Sequence, residues 1–392
     1  MSERRHISEN RGNGGRGFRI LIAGGGTGGH LFPGIAIADA FRRRSAKNQV
    51  LFITTGRPIE TRVLSQTDYQ TARIPAAGVK GKGIFQKLTA LVKVPAGMLA
   101  SVALFIRFRP DAVIGMGGYS AAPVIMAARM TGIFRVIHEQ NSIPGLTNRF
   151  LARYAHRIYV SYADTDMGGY AEKLRFTGNP IRPEIVEKIS KTQKTGANRA
   201  FTVLILGGSQ GAHAINLAVI EALDHLTGMP AFRFIHQTGE ADAEMVQAGY
   251  AKAGITARVE AFFDDMAACY AAADLAVCRA GATSVAEVAA AGLPAIFIPY
   301  PYAADNHQYF NAKVLSDMGA GELIEQRGLD GRRLADRISY YARHESVRRK
   351  MQAKMAACAK PHAASDVAAD INQVLEDRKL KTKGRSSAVS IT

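Results

Sequence analysis

The segment Gly24-Gly25-Gly26-Thr27-Gly28-Gly29-His30 follows an apolar run and contains G-x-G-x-x-G at Gly24, Gly26 and Gly29. Glycine permits positive φ and close backbone approach, and a helix start offers unpaired N–H groups, so the loop can cradle a phosphate. A tight strand-to-helix turn is the plainer reading, yet five glycines exceed what a turn needs. A nicotinamide-binding domain would place an acid about 20 residues further on. That region reads Phe52-Ile53-Thr54-Thr55-Gly56, and the nearest later acid is Glu60. His30 stands where the helix begins, and its imidazole could take a proton near neutral pH from a ligand held by the loop. A capping or packing histidine is an equal alternative.

Gly115-Met116-Gly117-Gly118-Tyr119-Ser120 forms a second strand-to-helix glycine loop, and His138-Glu139-Gln140-Asn141 closes another strand with four polar groups. Such positions line the crevice where open α/β sheets bind ligands, so these loops are expected to converge with the first. Gly207-Gly208-Ser209-Gln210-Gly211 again offers backbone donors at a helix start, a cradle for a diphosphate. Cys278-Arg279-Ala280-Gly281-Ala282-Thr283-Ser284 leads into Val285-Ala286-Glu287. Glu287, early in a helix among small apolar neighbours, could accept two ribose hydroxyls or simply favour the helix dipole. Asp305-Asn306-His307-Gln308 supplies further polar groups after the next strand. No P-loop, H-E-x-x-H, G-x-S-x-G, EF-hand or D-x-D pattern occurs, so no metal is expected.

The elements that must carry these loops alternate between strand-like and helix-like, which predicts a parallel α/β architecture. Phe18–Ala23, Val50–Thr54, Asp111–Met116, Arg135–His138 and Ile158–Ser161 read as strands, with helices near Gly34–Arg44 and Ala121–Met130. Thr177–Pro183 and the polar stretch Lys188–Arg199 read as a connection. The pattern then restarts with strands at Phe201–Leu206, Phe232–Gln237, Arg258–Phe263, Asp274–Cys278 and Pro294–Pro299. Two Rossmann-like halves facing a cleft are expected.

The 392 residues suffice for two or three domains. Three cysteines without a C-x-x-C or Cys/His cluster support neither a disulfide framework nor a zinc site, and the Arg/Asn/Gly start is no export signal. Lys plus Arg total 50 against 33 for Asp plus Glu, a formal +17 that favours an anionic partner of unspecified kind. From Tyr69 to Pro110 there is no acid, while Lys80, Lys82 and Lys87 alternate with Ile84, Phe85, Leu88 and Leu91. That mixture reads as a surface segment meeting anionic lipid, or as a core helix with a basic outer face. The apolar stretch Met98–Phe108 is too short to span a bilayer.

The ordered series Gly25-Gly26-Thr27-Gly28-Gly29-His30, Gly117-Gly118-Tyr119, His138-Glu139-Gln140-Asn141, Thr177-Gly178-Asn179-Pro180-Ile181-Arg182, Gly207–Ala212 and Cys278–Glu287 resembles the MurG family. These are bacterial N-acetylglucosaminyltransferases that convert lipid I to lipid II in peptidoglycan synthesis. The resemblance covers residues 18 to 375, nearly the whole chain. It implies a GT-B fold, with residues 18–182 as an acceptor- and membrane-facing Rossmann-like domain and 183–356 as the UDP-GlcNAc-binding one. A helix at about 357–375 would return to the first domain, and 1–17 and 376–392 would be basic flexible tails.

The implied reaction is an inverting, metal-independent transfer of GlcNAc from UDP-GlcNAc, a substrate and not a cofactor, to the 4-hydroxyl of undecaprenyl-pyrophosphoryl-MurNAc-pentapeptide. By the same resemblance Ser209, Glu287 and Gln308 hold UDP, with Glu287 on the ribose and the backbone around Phe263 near the uracil. Ala282, Thr283, Ser284, Val285 and Ala286 complete the donor site. Thr27, Gly28, Gly29, Asn141 and Arg182 would face the donor sugar and diphosphate from across the cleft. Gly25, Gly26, Gly117, Gly118 and Tyr119 would receive the acceptor pyrophosphate, with His30 as the candidate general base and Glu139 as a second catalytic candidate. His307, which is Gln in some members, and Phe263, often aliphatic, depart from the family pattern. Lys80, Lys82, Ile84, Phe85, Lys87, Leu88 and Leu91 would contact the anionic cytoplasmic face of the inner membrane, with cell-wall synthesis or division proteins as further partners. The alternatives are a UDP-GlcNAc epimerase of the same fold, whose carboxylate-rich site is not apparent, and a nucleic-acid-binding protein. No nucleic-acid partner is expected.

Overall fold

A computed structural model describes residues 16–76, 84–191, 200–208, 210–226 and 231–389; of residues 84–92, 189–191 and 382–389 only the backbone is described. In the first half, parallel strands β1 (Arg19–Ala23), β2 (Gln49–Thr54), β3 (Gln70–Arg73), β4 (Ala112–Gly115), β5 (Phe134–Glu139), β6 (Arg157–Val160) and β7 (Leu174–Phe176) form one sheet in the order β3-β2-β1-β4-β5-β6-β7. Helices α1 (Gly28–Arg44), α2 (Pro58–Leu64), α3 (Ile84–Phe108), α4 (Gly118–Met130) and α5 (Leu146–Leu151) connect them. The second sheet, β10-β9-β8-β11-β12-β13, is built from β8 (Phe201–Leu206), β9 (Phe232–Gln237), β10 (Thr256–Glu260), β11 (Leu275–Cys278), β12 (Ala295–Phe297) and β13 (Glu322–Leu323). Its helices are α6 (Pro183–Lys191), α7 (His213–Leu226), α8 (Ala243–Ala253), α9 (Met266–Ala272), α10 (Ala282–Ala290), α11 (His307–Asp317), α12 (Gly331–Arg343) and α13 (Glu345–Cys358), and α14 (Ala363–Val389) follows.

Successive strand side chains point to opposite faces, so each apolar run feeds two cores. Ile20 and Ile22 of β1 pack with α1 and α14, whereas Leu21 and Ala23 pack with α4. Val203 and Ile205 divide from Leu204 and Leu206 in the same way. In each sheet the strand order reverses between two neighbours, β1 and β4 in the first and β8 and β11 in the second. The crevice beyond the carboxyl ends of such a pair is where open α/β sheets bind ligands. The loops leaving β1, β4 and β8 are the three glycine loops of the sequence, and the one leaving β11 is Arg279-Ala280-Gly281 before Glu287's helix.

Several expectations need correcting. Helix α1 begins at Gly28, six residues before the expected Gly34, so the glycine loop itself forms the first turn. The apolar stretch Met98–Phe108 forms the C-terminal part of α3. Ile185 of α6 enters the second core, so Pro183–Lys191 of the expected connection is a helix packed on that domain, while residues 192–199 lie outside the described residues. Helix α14 places Val367, Ala368, Ile371 and Leu375 in the first core. It then continues to Val389 where a flexible tail from Glu376 was expected. Of the expected N-terminal tail, residues 1–15 lie outside the described residues, while Arg16 pairs with Asp111 at 3.5 Å.

Candidate functional site

The first two glycine loops meet around His30, as expected. The Gly25 amide donates to Ser120 Oγ at 3.3 Å, and Thr27 Oγ1 lies 3.2 Å from His30 Nδ1. Gly117 and Gly118 have φ of +89° and +72°. A Cβ on Gly117 would stand 3.2 Å from His30 Nε2, and one on Gly118 would stand 3.0 Å from the Gly25 carbonyl. Glycine is therefore required here both by the left-handed backbone and by the imidazole lying against it. Tyr119, at the start of α4, is exposed. Glu60, the acid first noticed as too late for a ribose, is buried and accepts the amides of Thr55, Gly56 and Arg57 at 2.7–3.1 Å. It braces the loop from beneath, and a side chain on Gly25 would collide with it.

His30 keeps part of its surface open to the cleft. Its pKa is pushed down to about 4, chiefly by loss of water and then by His307 of the second domain, against the opposing effect of a hydrogen bond with the Gly25 backbone. The ring is thus neutral near pH 7, the form that can accept a proton.

The polar run after β5 is consumed in building the loop. His138 is buried, held at a pKa of about 4 by that burial, and its Nε2 lies 3.2 Å from the Gly178 carbonyl. Glu139 accepts the amides of Asn141 and Gly145 at 2.9 and 3.1 Å and the side-chain amides of Asn141 and Asn148 at 3.2 and 2.9 Å. Both Glu139 oxygens are so occupied within its own loop, and only 2% of its surface is exposed. The loop it shapes crosses to the second domain. Asn311 Nδ2 donates to Asn141 Oδ1 at 3.1 Å, while the Ser142 amide and hydroxyl donate to Asn311 Oδ1 at 2.9 and 3.1 Å.

Glu287 is the sixth residue of α10, one turn later than an N-terminal position, and is buried. Tyr270 donates its hydroxyl to Glu287 Oε2 at 2.9 Å and Arg182 donates to Oε1 at 3.3 Å, so a pair of ribose hydroxyls would share or replace these bonds. Arg182 also lies over the Phe32 ring at 5.0 Å and leaves its buried Nε without a partner among the described residues. The first-turn amides of Ala282, Thr283 and Ser284 lack intrahelical acceptors, as at any helix start, and Thr283 Oγ1 is buried with no partner among the described residues. Val285 and Ala286 continue the helix. Gln308 lies in the first turn of α11, where its Oε1 accepts the Tyr300 amide at 3.0 Å.

Ser209 lies outside the described residues, as do Lys80 and Lys82; Ile84, Phe85, Lys87, Leu88 and Leu91 are placed on α3 by backbone alone. Phe263 lies beyond β10 rather than at the strand end, its ring is buried, and its amide donates to Gln237 Oε1 at 3.2 Å. A ligand would meet neither its ring nor a free amide. Its neighbour Phe262 instead lines a cavity of about 200 Å3 between the domains, with Phe32, Ile59, Val63, Arg62 and Arg182. Sequence reasoning missed Phe262, Tyr270 and Asn311. Asn311 alone carried a signal, since it stands three residues after Gln308 and shares its helix face. Among the described residues no helix is long and apolar enough to cross a membrane, and no three His, Cys, Asp or Glu side chains gather as a metal site.

Comparison with known proteins agrees with this architecture. The model of the glycosyltransferase family 28 N-terminal domain matches residues 20–160, and that of the C-terminal domain matches residues 202–371. The chain is 47% identical over 350 residues, 89% of its length and 96% of the relative's, to the UDP-N-acetylglucosamine--N-acetylmuramyl-(pentapeptide) pyrophosphoryl-undecaprenol N-acetylglucosamine transferase of Syntrophus aciditrophicus. The crystal structure of Acinetobacter baumannii MurG superposes with a TM-score of 0.74 at 31% identity, covering 91% of this chain and 99% of that one. A UDP-N-acetylglucosamine 2-epimerase structure from Listeria monocytogenes, at 11% identity, 92% and 97% coverage and a TM-score of 0.66, shares the fold alone. With its two halves matching the paired domains and nearly half its residues shared with such a transferase, the chain belongs to glycosyltransferase family 28, in the MurG group.

Proposed function

We propose that the chain is an inverting glycosyltransferase that moves GlcNAc from UDP-GlcNAc to the 4-hydroxyl of lipid I and so forms lipid II for peptidoglycan. The observation that carries the reading is His30 set in a recess built by Gly117 and Gly118, close enough to His307 at the start of α11 to feel its charge across the cleft. The acceptor oxygen forms a bond to the anomeric carbon as the bond to the β-phosphate oxygen breaks, its electron pair leaving on UDP. The hydroxyl proton passes to His30, and inversion gives a β-1,4 link. The amides at the start of α10 meet the growing negative charge on the diphosphate, with Arg182 turning to it from Glu287. Freed of that partner, the Glu287 carboxylate takes the ribose hydroxyls.

Residues 18–182 hold the acceptor in this reading, with Gly25, Gly26, Gly117, Gly118 and Tyr119 around its pyrophosphate, and residues 183–356 hold the donor. The lipid-linked acceptor requires the enzyme at the cytoplasmic face of the inner membrane, beside cell-wall synthesis and division proteins. Leu99 and Ile106, exposed at i and i+7 on one face of α3 beside Lys93 and Arg107, support a surface contact there.

UDP release from UDP-GlcNAc, with and without a soluble lipid I analogue and with and without EDTA, tests the proposal. Acceptor-dependent release with a disaccharide product is expected, undiminished by EDTA. Release of UDP with a 2-epimerised sugar and no need for acceptor would replace the transferase with the epimerase.

A further inference from the structure

Strand β9 ends at Gln237, and Thr238 and Gly239 then run between two loops of the second domain. On one side lies the glycine loop after β8. A Cβ on Gly211 would collide with the Thr238 carbonyl, and one on Gly239 would stand 2.6 Å from the Gln210 carbonyl oxygen, so the two backbones touch. On the other side lies the segment leaving β10. The Thr238 amide donates to the Glu260 carbonyl at 3.0 Å and the Gly239 amide to the Ala261 carbonyl at 3.1 Å.

The Gln237 side chain spans the same gap. It is 4% exposed, its Nε2 donates to the Gly208 carbonyl at 3.0 Å, and its Oε1 accepts the Phe263 amide at 3.2 Å. A carbonyl on one side and an amide on the other fix the orientation of the side-chain amide, because the flipped form would set like against like at both ends. Gly208 has a φ of +87°, and its carbonyl also accepts the Gly211 amide at 3.1 Å. With two donors, one of them on a buried side chain, that oxygen is drawn into the protein. A carbonyl turned outward at such a loop would repel an anion, whereas one tied back leaves the loop's N–H groups to meet it.

We propose that Gln237 is a positioning residue for the donor nucleotide. It holds the Gly208 carbonyl away from the diphosphate and fixes the segment at Phe263, and so sets the spacing between the loops that take the two ends of UDP. Gln237 touches no substrate in this role, which rests on the transferase reading for the identity of the ligand.

UDP binding to the full chain is measured by isothermal titration, and uridine binding by competition with UDP, for the parent and for Gln237→Met, which keeps the length and lacks both polar groups. UDP should bind about tenfold more weakly or worse, the effect of one buried hydrogen-bond partner left unmet, while uridine loses no more than about threefold. In turnover, KM for UDP-GlcNAc should rise by more than kcat falls. A role confined to stability would lower the melting temperature and leave the preference of the folded chain for UDP over uridine as it was. Should Gln237→Met fail to fold, Gln237→Asn carries the test, with the same groups on a stem one methylene too short to reach both loops, and the same loss is expected. UDP binding that the folded variant leaves unchanged, or an equal loss for UDP and uridine, overturns the positioning role and leaves the transferase reading intact. Failure of the parent chain to bind UDP sinks both.

Discussion

The acid limb of the pH–rate profile tests the role of His30 most sharply. Its pKa of about 4 arises from loss of water and from His307 across the cleft, so the base stays neutral well below the usual histidine range. Activity requires the deprotonated ring, so kcat/KM should stay level as pH falls and decline only as pH passes the lowered pKa. At pH 5.5 a base of pKa 4 is about 97% neutral, whereas one at the unperturbed value of 6.5 is about 9% neutral, a roughly tenfold difference in rate. The assay is UDP release at subsaturating donor and saturating acceptor between pH 4.5 and about 8, with stability checked at each pH. His307→Gln removes the second cause of the lowering, so its kcat/KM limb should move upward. The limb in kcat should also lie above that in kcat/KM, because bound phosphates favour the imidazolium. A kcat/KM limb near 6.5 that His307→Gln leaves in place would refute this account of the base.

Glu287→Ala should destabilise the chain by about 3 kcal/mol in urea unfolding, since it orphans the buried Tyr270 hydroxyl and the Arg182 guanidinium, and should raise KM for the donor. Gly118→Ala places a Cβ 3.0 Å from the Gly25 carbonyl at φ +72°, so kcat should fall by more than KM rises while the melting temperature drops by a few degrees. Asn311→Ala cuts the bonds to Asn141 and Ser142, and small-angle scattering should report a larger radius of gyration; an unchanged radius would show that the domains are held by other contacts. Leu99→Asp together with Ile106→Asp should abolish sedimentation with anionic vesicles and spare turnover of a soluble acceptor.

The sequence by itself determined the alternation of strands and helices, the two Rossmann-like halves and the loops that meet at the cleft. Buried parallel strands read as unbroken apolar runs, and glycine-rich turns mark the strand ends, so both signals are local. The edge strands Gln70–Arg73, Leu174–Phe176 and Glu322–Leu323 escaped notice because a strand with one neighbour and exposed faces needs no apolar run. Glu60 and Glu139 likewise look like available acids until their backbone donors are seen. Only the tertiary structure decided which polar groups are spent. Arg182 and Glu287 are 105 residues apart in the chain and Asn141 and Asn311 are 170 apart, yet both pairs close across the cleft. Such pairings follow from how two independently patterned cores pack against each other, and that packing adds His307 to the burial that lowers the proton affinity of His30.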